Sequence, residues 1–194
     1  MQANAIVGHG DHRRKLDYYP TPSEVTQALL DYLRLPGGTL IWECACGTGN
    51  MVEVIRANGY NCIGTDIATG CDFLKHREPC EWIITNPPFF LSEQFIGRAV
   101  QIGVPFAFLL KSQYWHSSKR LAIFRTYPPS EVLPLTWRPD FTGEGSSLMD
   151  MIWCVWRIDW GGQTIYCPLE KPAVDSMADD QIRMDILGDS IGIG

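Results

Sequence analysis

Hydrophobic residues recur along most of the chain in two alternating patterns. Short apolar runs bounded by Gly, Pro, Asn or Asp alternate with segments in which apolar residues return every three or four positions. The first pattern is typical of buried strands and the second of amphipathic helices. Strands are predicted at 39–43, 61–66, 81–86, 104–111 and 149–157, and helices at 21–35, 50–59 and 92–100.

The first predicted helix carries start and stop signals. Thr21 is predicted as its N-cap, with Pro22 at the first helical position and Glu24 completing a capping box, and Pro36 follows its end. Because strands that are apolar on both faces alternate with helices, the fold class is predicted to be α/β, with a parallel sheet covered by helices on both faces.

The length of 194 residues fits a single domain. Residues 1–17 are predicted to be a flexible N-terminal arm, 18–167 one folded domain and 168–194 an acidic C-terminal tail. Neither a run of about eighteen apolar residues nor a secretory signal is visible. The protein is therefore expected to be cytoplasmic, with no membrane partner.

Composition argues against disulfides and metals. The seven cysteines are odd in number, most lie in apolar runs, and the pair Cys44 and Cys46 has no second pair to complete a zinc pattern. Buried thiols in a reducing compartment and no bound metal are therefore expected.

Charge is distributed unevenly along the chain. The net charge is −6, of which residues 168–194 contribute −4, whereas residues 111–138 carry a net charge of +4. A basic strip of this kind could contact phosphates, although such runs are usually solvated helix faces.

The loop after the first strand is rich in small residues. In the segment ECACGTGN, Glu43 is followed by Ala45, Gly47 and Gly49, and a helix begins directly afterwards. Ligands of open α/β sheets bind at the carboxyl ends of the strands, where small residues allow close approach to the backbone. Position 52 is Val rather than a third glycine, and no P-loop lysine is present. The loop therefore suits a nucleoside cofactor that lacks a pyrophosphate.

Acidic residues follow the second strand. Asp66 lies twenty-three residues beyond Glu43, about where an acid accepts hydrogen bonds from ribose hydroxyls in nucleotide-binding folds. Asp72 could accept a hydrogen bond from an adenine amino group while Phe73 covers the ring. These interpretations predict a site for an adenosine-containing cofactor.

The segment TNPPFF closes the third strand. An exocyclic amine on an aromatic base is a poor nucleophile because its lone pair is delocalised into the ring. If the Asn86 side-chain oxygen and the Pro87 carbonyl accept its N–H protons, the lone pair becomes available. Pro87 and Pro88 fix the backbone direction, Phe89 offers a stacking face, and Phe90 is predicted to pack in the core.

Together these segments resemble the class I S-adenosylmethionine-dependent methyltransferases, specifically the DNA adenine-N6 branch common in phages and mobile elements. The matching motifs are YYPTP, ECACGTG, Asp66, the Asp72–Phe73 pair and NPPF at 86–89. The resemblance implies a seven-stranded, mostly parallel Rossmann-like sheet with an antiparallel last strand at 149–157. It implies S-adenosyl-L-methionine as cofactor, and direct methyl transfer to adenine N6 by a catalytic segment of Asn86, Pro87, Pro88 and Phe89. The cofactor-binding residues would be Tyr18, Tyr19, Pro20, Thr21, Glu43, Ala45, Gly47, Gly49, Asp66, Ile67, Asp72 and Phe73.

The expected macromolecular partner is DNA. Larger members of this branch carry a separate target-recognition domain, for which this chain has no room, so the arm and the segments 112–125 and 136–148 remain for DNA contact. Substrate-binding residues are predicted to be Phe89, Lys111, Lys119, Arg120 and Arg138. The sequence leaves the oligomeric state open.

Two other functions remain open. Asn-Pro-Pro-aromatic segments also occur in methyltransferases that act on RNA base amines or on protein glutamine amides. A third reading is a binding subunit that keeps the cofactor fold without catalysis.

Overall fold

The computed structural model describes residues 20–143, 145 and 149–173. Their centre is one seven-stranded sheet with the spatial order β2-β1-β3-β4-β6-β5-β7. The strands are β1 (Leu40–Glu43), β2 (Asn61–Gly64), β3 (Trp82–Thr85), β4 (Phe106–Lys111), β5 (Glu131–Pro134), β6 (Met151–Trp156) and β7 (Ile165–Tyr166). The helices are α1 (Ser23–Leu33), α2 (Asn50–Ala57), α3 (Ser92–Ile102) and α4 (Leu121–Thr126).

The sheet has a parallel half and an antiparallel half. Strands β2, β1, β3 and β4 pair in parallel, whereas β6 pairs antiparallel with both β4 and β5. The predicted α/β fold and the antiparallel direction of the strand at 149–157 are confirmed. A two-residue strand, β7, follows β6 in the chain and pairs in parallel with β5. Strands β5 and β7 and helix α4 were not predicted, because they are short and lack a clear apolar period.

The chain reverses its direction of winding between β1 and β3. From β1 it crosses through α2 to β2 on one side, and then returns past β1 to β3 on the other side. The carboxyl ends of β1 and β3 therefore flank a crevice, which is the usual ligand position in open α/β sheets.

Two apolar clusters cover the two faces of the sheet. One joins α1 and α2 to residues such as Ile84 and Trp153, and the other joins α3 to residues such as Trp42 and Phe108. Successive strand residues fall in opposite clusters because side chains alternate across a strand. The Trp153 indole also donates a hydrogen bond to the Val25 carbonyl over 3.0 Å, which fastens α1 to β6.

The start of α1 differs from the prediction. The helix begins at Ser23 after Pro22, and no side chain caps it. The predicted Thr21 cap and capping box are therefore wrong. Thr21 is buried, and its hydroxyl accepts a hydrogen bond from Asn86 instead. The hydroxyl therefore binds a residue distant in sequence and does not form the local capping hydrogen bond.

The packed chain extends beyond residue 167. Leu169 is buried and forms a bridge with Leu135 alongside β5. The predicted arm at 1–17 and most of the tail at 168–194 lie outside the described residues, so the division of the chain remains a prediction. Within 20–143, 145 and 149–173, no helix has the length and apolar character needed to traverse a bilayer.

Candidate active site

A cavity of about 320 Å³ opens at the carboxyl ends of β1, β2 and β3. Its walls come from the loop after β1, the turn after β2, the segment after β3 and the residues just before α1. This is the crevice that the strand order predicts. Among the predicted site residues, the cavity is lined by Pro20, Thr21, Glu43, Ala45, Gly47, Asp66, Ile67, Asn86 and Pro88.

The loop after β1 is held by hydrogen bonds that need glycine conformations. Gly47 and Gly49 have φ angles of +51° and +92°, in the left-handed region that favours glycine. The Cys46 amide donates to the Thr65 carbonyl over 3.0 Å, which ties the loop to the end of β2. The glycines thus let the backbone itself form one wall of the cavity.

Asp66 connects two walls of the cavity. Its Oδ2 accepts a hydrogen bond from the Gly47 amide over 2.9 Å, and its Oδ1 accepts one from the Ala68 amide over 2.8 Å. Each carboxylate oxygen has a further lone pair. The side chain can therefore hold the glycine loop and still accept hydrogen bonds from ligand hydroxyls.

Glu43 is a buried carboxyl group in the cavity wall. Only 1% of the residue is exposed, and its Oε1 accepts hydrogen bonds from the Ala45 amide and the Thr85 hydroxyl. Burial raises the pKa of Glu43 to about 7, assisted by the negative charge of Asp66 and opposed by these two hydrogen bonds. In the described part of the chain, no lysine or arginine forms an ion pair with it. The site can therefore accept either a proton or a cationic ligand group.

Asn86 lines the cavity and carries a buried acceptor atom without a partner among the described residues. Its Nδ2 donates a hydrogen bond to the Thr21 Oγ1 over 3.1 Å. Its Oδ1 is buried and has no hydrogen-bond partner among the described residues. Buried polar atoms are nearly always paired, so an orphaned oxygen in a ligand-sized cavity indicates a missing donor.

The two phenylalanines after the prolines lie in unexpected places. Phe90, predicted to pack in the core, is 62% exposed and lines the cavity, so that prediction is wrong. Phe89 is half-buried against the core, with the Lys111 Nζ 4.2 Å from its ring centroid. The physical reason is the 3₁₀ turn Phe89–Leu91, which does not alternate side chains as a strand would.

Asp72 and Phe73 do not line the cavity. The Phe73 ring is buried against Trp42 and Phe95, with centroid distances of 5.2 and 4.7 Å. The prediction that this ring covers adenine is therefore corrected, because core packing holds it inward. Asp72 accepts from the Leu74 amide and pairs with Lys75 over 3.2 Å.

The predicted DNA-contacting cations differ in their surroundings. Arg120 pairs with Glu93 over 3.1 Å and stacks on Tyr114, and Arg138 pairs with Asp150 over 2.7 Å. Lys111 lies over Phe89, next to the cavity, and Lys119 is exposed. Lys111 is thus the basic residue that contacts the predicted catalytic segment. Of the other predicted residues, Gly49, Pro87 and Phe89 do not line the cavity, and Tyr18 and Tyr19 lie outside the described residues.

A group of potential metal ligands lies outside the cavity. Ligand atoms of Cys71, His76 and Glu78 all lie within 4.8 Å of one another. This group was not predicted, because the spacing of its residues in the sequence matches no zinc pattern. His76 and Glu78 already share a hydrogen bond of 2.6 Å.

Comparisons with known proteins identify the fold. No family model matches the chain, and no curated protein matches its sequence. A protein from Listeria monocytogenes assigned to the class I S-adenosylmethionine-dependent methyltransferases aligns with a TM-score of 0.59 and 16% identity, over 88% of this chain and 72% of that one. A protein from Vibrio vulnificus assigned as a modification subunit of a type I restriction enzyme aligns with a TM-score of 0.57 and 13% identity.

A third solved structure is the methyltransferase subunit of a type I restriction-modification system from Streptococcus thermophilus, with a TM-score of 0.57 and 12% identity. The alignments with the two subunits cover 91% and 86% of this chain, but only 54% and 52% of theirs. The chain thus spans about half the length of each subunit. The sheet with its flanking helices is the Rossmann-like fold of class I methyltransferases.

Proposed function

We propose that this protein is an S-adenosyl-L-methionine-dependent methyltransferase that modifies the N6 amino group of adenine in DNA. The unpartnered Asn86 Oδ1 carries the proposal, because it shares one cavity with the glycine loop and Asp66. The resemblance of YYPTP and NPPF to the DNA adenine-N6 branch supports the choice of acceptor. Two of the similar structures are themselves subunits of restriction-modification systems.

The residues of the cavity fit S-adenosyl-L-methionine. Asp66 has lone pairs for the ribose hydroxyls, and the backbone at Gly47 leaves room for close approach. Glu43 supplies a carboxylate without a cationic partner, which suits a ligand that carries positive charge. The volume of about 320 Å³ lies within the usual range of small-molecule sites. When bound, the cofactor supplies a methyl group on a positively charged sulfur.

Asn86 would activate the acceptor amine. Its Oδ1 accepts one N–H of the amine and the Pro87 carbonyl accepts the other, so the nitrogen lone pair is released from the ring. The nitrogen would then take the methyl group that a bound cofactor supplies, and the electron pair of the broken carbon–sulfur bond would stay on sulfur. The nitrogen then returns to neutrality by losing one proton to water. Asn86 acts here as an acceptor of fixed orientation and not as a base.

Two aromatic residues would hold the base. Phe90, exposed at the cavity, adds a second candidate stacking surface beside Phe89. Stacking of a base on an aromatic side chain contributes about 1–3 kcal/mol. In duplex DNA this energy would help to offset the rotation of adenine out of the helix, which costs roughly a few kcal/mol. Lys111 and Lys119 would contact phosphates nearby.

The test is methyl transfer from labelled cofactor to three acceptors in parallel: plasmid DNA, total RNA and a protein with exposed glutamine. The expected product is N6-methyl-2′-deoxyadenosine from DNA, identified by mass after digestion to nucleosides. Label found in RNA or in glutamine, and not in DNA, would identify RNA or protein as the substrate instead of DNA. Cofactor binding without transfer to any acceptor would favour a non-catalytic subunit.

The Asn86→Ala variant tests the catalytic assignment. Loss of an oriented hydrogen-bond partner at a reacting atom lowers kcat by about 100-fold or more. We expect that loss with unchanged cofactor affinity, measured by calorimetry. Asn58→Ala, at an exposed asparagine after α2, is the matched control and should leave kcat unchanged. An active Asn86→Ala enzyme would contradict the proposed function.

A further inference from the structure

We infer that Thr21 is a positioning residue for Asn86 and not a ligand of the cofactor. This inference rests on the proposed function, because it concerns how the Asn86 amide is presented to an acceptor amine. The resemblance to the methyltransferases places Thr21 in a cofactor-binding segment. The structure gives its hydroxyl another contact.

The contact joins two distant parts of the chain. Thr21 lies just before α1 and Asn86 just after β3, 65 residues apart. The Thr21 Oγ1 accepts a hydrogen bond from the Asn86 Nδ2 over 3.1 Å, and Thr21 is buried. This is the hydrogen bond that the described residues supply to the Asn86 side chain.

The hydrogen bond restrains the Asn86 side chain at the cavity wall. An amide has one acceptor end and one donor end. With Nδ2 bound to Thr21, the Oδ1 is left without a partner in the cavity wall. An acceptor amine brings N–H donors, so it needs the oxygen and would be repelled by Nδ2. Thr21 thus holds the Asn86 amide in place before any substrate arrives, in the orientation that leaves Oδ1 unpartnered.

Thr21 is itself anchored by its surroundings. The carbonyl of the adjacent Pro22 accepts a hydrogen bond from the Val25 amide over 3.1 Å. Val25 is fully buried, and its carbonyl is bound by the Trp153 indole. The hydroxyl therefore has a fixed position relative to the sheet, and a loss of its bond would free the Asn86 side chain to rotate.

A second buried threonine provides a matched control. Thr26 lies in α1, close to Thr21 in the chain, and its Oγ1 is buried without a hydrogen-bond partner. Val has nearly the shape of Thr and lacks the hydroxyl. Thr21→Val removes the bond to Asn86, whereas Thr26→Val removes a hydroxyl that binds no described residue.

The kinetic test compares Thr21→Val, Thr21→Ser and Thr26→Val with the wild type. Because a neutral hydrogen bond is lost and the amide becomes mobile, we expect Thr21→Val to lower kcat about ten-fold. The cofactor Kd should stay within about two-fold, Thr21→Ser should recover most of the rate, and Thr26→Val should match the wild type. A Kd weakened as much as kcat, or an unchanged kcat, would overturn the inference.

A second measurement does not depend on turnover. In protein labelled with ¹⁵N-asparagine, the side-chain NH₂ signal of Asn86 is identified by its absence from Asn86→Ala. We expect its exchange with water to be about ten-fold faster in Thr21→Val and unchanged in Thr21→Ser and Thr26→Val, since a hydrogen bond slows exchange. Equal exchange in Thr21→Val and the wild type would refute the contact. Wild-type protein that transfers no methyl group would instead refute the proposed function, so the two failures are distinguishable.

Discussion

Two glutamates are buried in the same sheet, one in each half. Glu131 begins β5 in the antiparallel half and is 3% exposed, and its Oε1 lies 2.7 Å from the Arg157 Nε. Glu43 ends β1 in the parallel half and is 1% exposed, yet among the described residues only the Ala45 amide and the Thr85 hydroxyl bind it. One carboxylate has a cation from its own chain, and the other faces a cavity.

This difference distinguishes a buried charge with a cationic partner from one without such a partner among the described residues. A buried charge is costly to hold unless it is paired, and Arg157 meets that need for Glu131. Glu43 instead keeps a raised pKa, which is common for groups at functional sites. Among the described residues Glu131 is paired with a cation and Glu43 is not, and we propose that a cationic ligand supplies the partner of Glu43.

Breaking the complete pair should have the largest effect on stability. Arg157→Met leaves Glu131 buried without its cation, which costs about 3–5 kcal/mol for buried pairs. A value near the lower end is expected because 34% of the Arg157 side chain is exposed. Urea unfolding measures the loss, and the cofactor Kd should not change. A loss similar to that of Arg125→Ala, at an exposed arginine outside any ion pair of the described residues, would contradict this assignment.

The unpaired glutamate should make stability depend on pH. Burial raises the pKa of Glu43 from its ordinary 4.5 to about 7, so the folded protein binds the proton more tightly than the unfolded chain. Its contribution is then fully present below pH 4.5 and is lost as the pH rises through 7, by about 3 kcal/mol. Glu43→Gln should remove this slope in urea unfolding of the cofactor-free protein. An equal slope in both proteins would rule out Glu43 as its source.

The same glutamate should link cofactor affinity to pH. A cationic ligand favours the ionised carboxylate, so binding must displace the Glu43 proton below pH 7. We expect S-adenosyl-L-methionine affinity to fall by up to about ten-fold per pH unit there. Calorimetry across pH measures this, and Glu43→Gln should bind more weakly at pH 8 but with little pH dependence. A wild-type affinity that is constant from pH 5 to 8 would contradict it.

An exposed ion pair should have the smallest effect. Arg138 and Asp150 are 2.7 Å apart, but their side chains are 62% and 57% exposed. Solvent screening limits such pairs to about 0–1 kcal/mol, so Arg138→Ala should barely change urea unfolding. Any loss of DNA affinity in this variant would then be a direct effect on binding. A destabilisation as large as that of Arg157→Met would show that distance, and not burial, controls these pairs.

Local patterns predicted the elements that form the cavity, and contacts across the chain decided the rest. The glycine loop, Asp66 and Asn86 were predictable because each follows an apolar strand whose carboxyl end faces one edge of the sheet. The contact between Thr21 and Asn86 was not, since its partners are 65 residues apart. The sequence around Thr21 matches a helix-capping pattern, but in the structure its hydroxyl binds Asn86 instead of capping α1.

Aromatic residues show the same limit. Phe73 was predicted to face the ligand and Phe90 the core, and their burial is the reverse of the prediction. Packing against Trp42 draws Phe73 inward, and a 3₁₀ turn rotates Phe90 outward. Neither the packing of Phe73 on Trp42 nor the 3₁₀ turn at Phe90 has a local sequence signal strong enough to predict which ring is buried.

The bond between Trp153 and the Val25 carbonyl spans 128 residues. During synthesis, α1 therefore leaves the ribosome long before the strand that anchors it. It can pack on α2 at once, but it lacks the bond to Trp153 until β6 has been made. The site proposed around Asn86 would thus gain this anchor late in folding, and a nascent chain cut short before β6 would expose a first helix without it to chaperones and proteases.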